Sequence, residues 1–217
     1  MSNDAFGYEP KLPPEIQSIC MELCQEVAHL NHKWHFYLDL FSLSENTDLL
    51  SEIAEASFQI IEDSLRCDMT MAICRLSDPK VSMGKENLSF DLLVSKCEPL
   101  PTIAAILPEL KILLEQFRLE SKPIVQYRNK LVGHNDLITI IKPHENPLIG
   151  INRPMISNTL ELAGKILKLI YGHYAKTDLH FKAFHLGGAK ALLCHLKIAR
   201  DHERDSYLQK INKLNSQ

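Results

Sequence analysis

Glycine is scarce in this chain, 8 among 217 residues, and tryptophan occurs once. So few residues free to take positive φ argue against a fold of many tight turns and short strands, and long periodic stretches point to helices instead. No apolar run reaches the ~18 residues that a membrane span requires. The first residues, Met1-Ser2-Asn3-Asp4-Ala5-Phe6-Gly7, lack the basic and apolar segments of a secretory leader, so a cytoplasmic protein is expected. Cys20, Cys24, Cys67, Cys74, Cys97 and Cys194 form no Cys-x-x-Cys pair and read as reduced thiols, mostly at core-like helical positions. Neither sign of charge dominates: 24 Lys and Arg against 27 Asp and Glu leave a net charge of -3. That balance excludes a surface that coats nucleic acid broadly and makes any anion site local. Glycine-rich phosphate loops, dinucleotide fingerprints, internal repeats and low-complexity tracts are also missing.

What the chain does have is helical periodicity. The pattern predicts an all-α, up-and-down helical bundle with two long N-terminal helices and extra C-terminal helices, in a single domain over residues 1–217. Residues 1–13 read as a loose arm, and Pro13-Pro14 as a helix entry. Ile16, Ile19, Cys20, Leu23, Val27, Leu30, Trp34, Leu38 and Phe41 recur at three- and four-residue steps and predict a long first helix. After a turn at 44–47, the stripe Ala54, Phe58, Ile61, Leu65, Ala72 and Leu76 predicts a second helix stopping at Pro79. Its other side carries Ile53, Ile60, Cys67, Met71 and Cys74, so this helix is expected to lie deep, covered on two sides. Ser89 is placed to cap a short helix ending near Cys97. Pro123 is expected to kink or interrupt the next long helix, and Leu137 to Ile141 to form a short extended segment. Helix signals resume from Ile156 to about Ala175, and 176–217 is a C-terminal helical extension with a strongly polar end.

The most informative residues are Arg128-Asn129-Lys130-Leu131-Val132-Gly133-His134-Asn135-Asp136. At 100° per residue, Leu110, Leu113, Leu114, Phe117, Ser121, Ile124, Arg128, Leu131 and Val132 share one arc, with Arg128 near its middle. A guanidinium there stays charged and must meet a carboxylate, carbonyls or an incoming anion. Asp68, Arg75 and Asp78 share an arc of about 80° on the second helix, suited to a buried ion pair or to an acid that orients Arg128. Paired to such an acid, Arg128 would be structural, and His134 would cap a helix end. His32 and His35 lack a carboxylate or thiol at ligand spacing, so no metal and no cofactor is expected.

This stretch resembles the signature of the HEPN superfamily of small helical bundles: an arginine, a polar residue, and a histidine after four to six intervening positions. Arg128 is followed by Asn129, and five residues separate it from His134. The element Arg75-Leu76-Ser77-Asp78 ahead of a short helix is similar to the AbiU-type branch, associated with abortive phage infection. The likeness spans roughly residues 16–175. It departs from the nucleotidyltransferase-paired branch, which places a tyrosine two residues after the histidine where this chain has Asp136.

The resemblance implies metal-independent RNA cleavage, in phage defence or a toxin-antitoxin system. His134 would move protons and Arg128 would hold the scissile phosphate, as catalytic residues. Asn129, Lys130 and Asn135 would bind flanking phosphates or sugars, and Tyr127 would stack a base. Arg75, Asp78 and Asp68 are auxiliary candidates. Six residues of ideal helix leave two side chains about 120° apart, so one helix does not aim both at one phosphate. A homodimer with two motifs facing each other resolves this and agrees with the family pattern. The implied partners are RNA, a second copy and an antitoxin protein, with no membrane. The alternative is a non-catalytic helical dimer on the same scaffold, binding RNA, a nucleotide or a partner protein.

Overall fold

Pro14 opens α1 (Pro14–Phe41) with its backbone already set for a helix, and the Pro13 carbonyl accepts from the amides of Ile16 and Gln17. The computed structural model describes residues 12–133, 137–141, 144, 150–175, 179–181 and 188–215. Within them the chain is all-α apart from a two-residue hairpin. The elements are α1, α2 (Ser44–Ser77), β1 (Val81–Ser82), β2 (Lys85–Glu86), α3 (Phe90–Cys97), α4 (Leu107–Tyr127), α5 (Leu137–Ile141), α6 (Arg153–Ala175) and α7 (Ala189–Asn215). A 3-10 turn spans Pro101–Ile103, and a π-helical turn, Arg128–Val132, follows α4. The hairpin closes through Met83 and Gly84, both at positive φ, 49° and 77°. Residues 1–11 of the expected arm lie outside the described residues, while Leu12 is buried rather than loose.

Two compact units share α1 and α2. The first comprises Met1–Asn31 and Cys67–Lys182. Its core is the α1 stripe Ile16, Cys20, Leu23, Val27 and Leu30, the α2 residues Met69, Ala72, Ile73 and Leu76, and the inner faces of α3, α4 and α6. Phe90 meets Phe117 edge-on with ring centroids 5.0 Å apart, and neither is exposed. Ser89 caps α3 as expected, accepting from the Leu92 amide at 3.3 Å. Burial pushes the Cys24 thiol up to about 11, against a hydrogen bond with Tyr171 that works the other way. Cys20 is raised further by the same cause, so both remain neutral thiols.

The second unit comprises His32–Arg66 and Ala183–Gln217. Trp34 stacks on Tyr37 at 5.4 Å, and Leu40, Phe41, Leu49, Leu50, Ala189 and Leu193 complete a small core. Asn46 donates to the Asp39 carbonyl across the α1–α2 junction at 2.8 Å, and the Tyr37 hydroxyl donates to Glu62 at 2.9 Å. Lys197 pairs with Glu45 at 2.6 Å, and Arg200 with Glu52 at 3.7 Å.

Several expectations are corrected. α2 is not deep throughout: its last two turns are sealed, but Ile53, Ile60 and Ile61 are exposed by 37%, 67% and 39%. Ala54 interrupts α2 with non-helical backbone, φ -161° and ψ 64°, so the two sides of the break follow different paths. α4 runs through Pro123 without a break, because the missing N–H falls where the preceding turn is exposed at Leu119. Residues 137–141 are helical, not extended: a lone five-residue strand has no edge to bond, and this overrides its β-branched preference. Cys67 and Cys194 are exposed, unlike Cys20, Cys74 and Cys97.

Candidate functional site

The buried stripe of α4 leads to the site. Leu110, Leu114, Phe117, Ser121 and Ile124 are buried along it, and the stripe then reaches Arg128, whose side chain is 27% exposed. The helix changes character at this residue. The Arg128 amide still donates to the Ile124 and Val125 carbonyls, but its own carbonyl accepts from Gly133, five residues on, at 2.7 Å. That bond closes a π turn, a form that commonly marks functional positions. A Cβ on Gly133 would lie 3.4 Å from the Arg128 carbonyl oxygen and 3.7 Å from its Cδ, so the turn packs this glycine on the arginine it follows. The 120° divergence computed for an ideal helix does not carry across this wider turn.

The end of α2 supplies the counter-charge. Arg128 Nη2 donates to Asp78 Oδ1 at 3.4 Å, with the Asp78 side chain 35% exposed. Asp78 lies just past α2, and its amide donates to the Arg75 carbonyl at 3.3 Å. One turn earlier, Cys74 is buried, and its thiol donates to the Ile124 carbonyl at 3.9 Å. Burial pushes the Cys74 thiol up, while the Arg128 guanidinium beside it works the other way. Arg128 Nε is buried and finds no hydrogen-bond partner among the described residues. A buried unpaired donor costs about 1–3 kcal/mol, so a partly exposed arginine held this way is an expensive feature of the fold.

Of the residues singled out from sequence, Arg128 and Asp78 come together. Arg75 does not join them: it pairs with Glu26 of α1 at 2.7 Å, on the exposed side of the same turn. Glu26 was missed, although its place beside Val27 at the edge of the α1 stripe was the available signal. Glu62, another acid of α2, accepts from the Tyr37 hydroxyl in the second unit. Asp68 is half-buried on α2 and is not the acid that meets Arg128 Nη2. Tyr127 and Lys130 are half-buried on the π turn and its approach, and Asn129 is exposed. His134, Asn135 and Asp136 lie outside the described residues. Among the described residues no helix is long and apolar enough to cross a membrane.

Chemically, the arrangement is a fixed cation whose counter-ion leaves part of it exposed. A guanidinium offers five N–H donors, and the ion pair with Asp78 engages one nitrogen. Compared with models of known families, residues 14–187 match that of HEPN_AbiU2, described as AbiU2. No curated protein and no solved structure matches the chain.

Proposed function

The chain belongs to the AbiU2 family of abortive-infection-related HEPN proteins, and from that premise we propose that it is a metal-independent endoribonuclease, acting in phage defence or as the toxin of a toxin-antitoxin pair. In this reading the ribose 2'-oxygen attacks the adjacent phosphorus as neutral His134 takes its proton, and the bond from phosphorus to the 5'-oxygen breaks. A protonated imidazole, supplied by His134 of a second copy, returns a proton to that 5'-oxygen. Arg128 holds the non-bridging oxygens as negative charge grows on them. Asn129, Lys130 and Asn135 grip the neighbouring backbone, Tyr127 stacks a base, and Asp78 sets the direction of the guanidinium. The products are a 2',3'-cyclic phosphate and a 5'-hydroxyl.

The observation that carries this reading is the exposure of Arg128. An arginine serving only the core would be sealed with its acid, whereas this pair is 27% and 35% exposed and the contact between the two is long, at 3.4 Å. The same contact is what favours the second reading, a non-catalytic HEPN-like dimer that binds RNA, a nucleotide or a partner protein, since Arg128 already has a carboxylate partner. The test is cleavage of RNA by purified protein in the presence of a chelator. His134→Ala and Arg128→Ala should each abolish cutting with an unchanged circular dichroism spectrum. Equal cutting by wild type and both variants removes the catalytic reading; RNA binding without cutting establishes the second one.

A further inference from the structure

α7 lies beyond the family match, which ends at residue 187, and it is the element least accounted for by the site. One stripe runs its length at three- and four-residue steps: Leu193, Leu196, Arg200, Glu203, Tyr207, Ile211 and Leu214. Its first part is covered inside the second unit, where Leu193 is buried and Lys197 and Arg200 pair with Glu45 and Glu52 of α2. Its last part is uncovered: Tyr207 is 65% exposed and Leu214 72%. Both ion pairs fall on the N-terminal side of the break at Ala54. Past that break, α2 has its own uncovered apolar residues, Ile60 and Ile61.

The two open faces match in charge. Past the break, from Glu55 to Leu65, α2 carries the acidic residues Glu55, Glu62 and Asp63 and no lysine or arginine before Arg66, and Glu55 and Asp63 are exposed. From Arg204 onward, α7 carries Arg204, Lys210 and Lys213 against Asp205. A basic amphipathic helix and an acidic apolar face on one chain are the two halves of a self-complementary contact. Two copies related by a two-fold axis satisfy both halves twice, with each tail lying on the other's α2, so the assembly closes.

We propose that the α7 tail, through Tyr207, Ile211 and Leu214, docks on the Ile60–Ile61 face of α2 in a second copy of this chain, making the second unit a dimer contact. Charge complementarity extends within one chain as far as Glu52–Arg200, and the second copy continues it past the break with Asp63 facing the basic tail. This contact rests on the two-copy assembly that the proposed nuclease requires; a dimer that ignores its apolar anchors defeats the contact alone, and a dimer that keeps them but cuts no RNA defeats the nuclease alone.

Sedimentation of the full chain over a range of concentrations tests it. Wild type should be dimeric, and Ile60→Asp or Leu214→Asp should each raise the dimer dissociation constant at least about tenfold, as removal of a central apolar anchor does. Asp63→Lys and Lys210→Glu should each weaken the dimer, and the double variant should restore it. All four positions are exposed, and an unchanged circular dichroism spectrum shows that each variant folds. A monomer at every concentration overturns the proposal. So does a dimer indifferent to Ile60→Asp and Leu214→Asp, or a monomeric chain whose α2 face is instead required for binding a different protein.

Discussion

α2 carries apolar residues at helical spacing along its whole length, yet its two ends meet different surroundings. Met69, Ala72, Ile73, Cys74 and Leu76 are all sealed at 2% exposure or less, whereas Ile53, Ile60 and Ile61 face outward. The sealed end belongs to the larger unit, where α1, α3, α4 and α6 supply a core; the open end belongs to a unit with the last turns of α1, α2 and α7. An apolar stripe therefore measures a helix's capacity to be buried, and the cover comes from elements far away in sequence. The same contrast separates the arginines of the site. Arg75 sits on the outer side of α2 in a plain surface pair with Glu26, and Arg128 ends a buried stripe with its Nε shut away from solvent.

Substitutions can sharpen this contrast. Phe117→Ala removes a fully buried ring packed on Phe90 and should lower unfolding free energy by about 3–5 kcal/mol in urea titration. Ile73→Ala, in the sealed half of α2, should cost about 2–5 kcal/mol by the same measurement. A smaller effect is expected from alkaline pH, acting on the larger unit. The Cys24 thiol is raised in the folded chain from 9.0 to about 11, so the unfolded chain ionises first. The stability it contributes is intact below pH 9.0 and is lost as pH rises through about 11, and Cys24→Ala should flatten that decline in urea midpoint. The smallest effect belongs to the open half: Ile60→Ala should change monomer stability by no more than about 0.5 kcal/mol. A cost for Ile60→Ala equal to that of Ile73→Ala would dissolve the contrast between the two halves.

Much of the fold was legible because helix starts and stops are local chemistry. Pro14 begins α1, Ser89 caps α3, and Pro79 ends α2 two residues ahead of itself. The break at Ala54 was not legible, since neither proline nor glycine marks it. The helical form of 137–141 was hidden for a related reason: β-branched residues favour a strand only where an edge exists to pair with. At the site, Arg128 and Asp78 were readable as a charge on an apolar arc and an acid on a neighbouring helix. The π turn was not, because a wheel drawn at 100° per residue assumes the hydrogen-bond pattern that the Gly133 amide departs from. Glu26 escaped notice because pairing it with Arg75 requires the packing of α1 against α2, a long-range fact.

The proposed chemistry leaves a mark on its products, and end-group analysis of RNA cut in the presence of a chelator is the most direct measurement of it. The account predicts 2',3'-cyclic phosphate and 5'-hydroxyl ends that vanish together when His134 is replaced by alanine. Fragments ending in 3'-hydroxyl and 5'-phosphate, or cyclic-phosphate ends undiminished in His134→Ala, would contradict it.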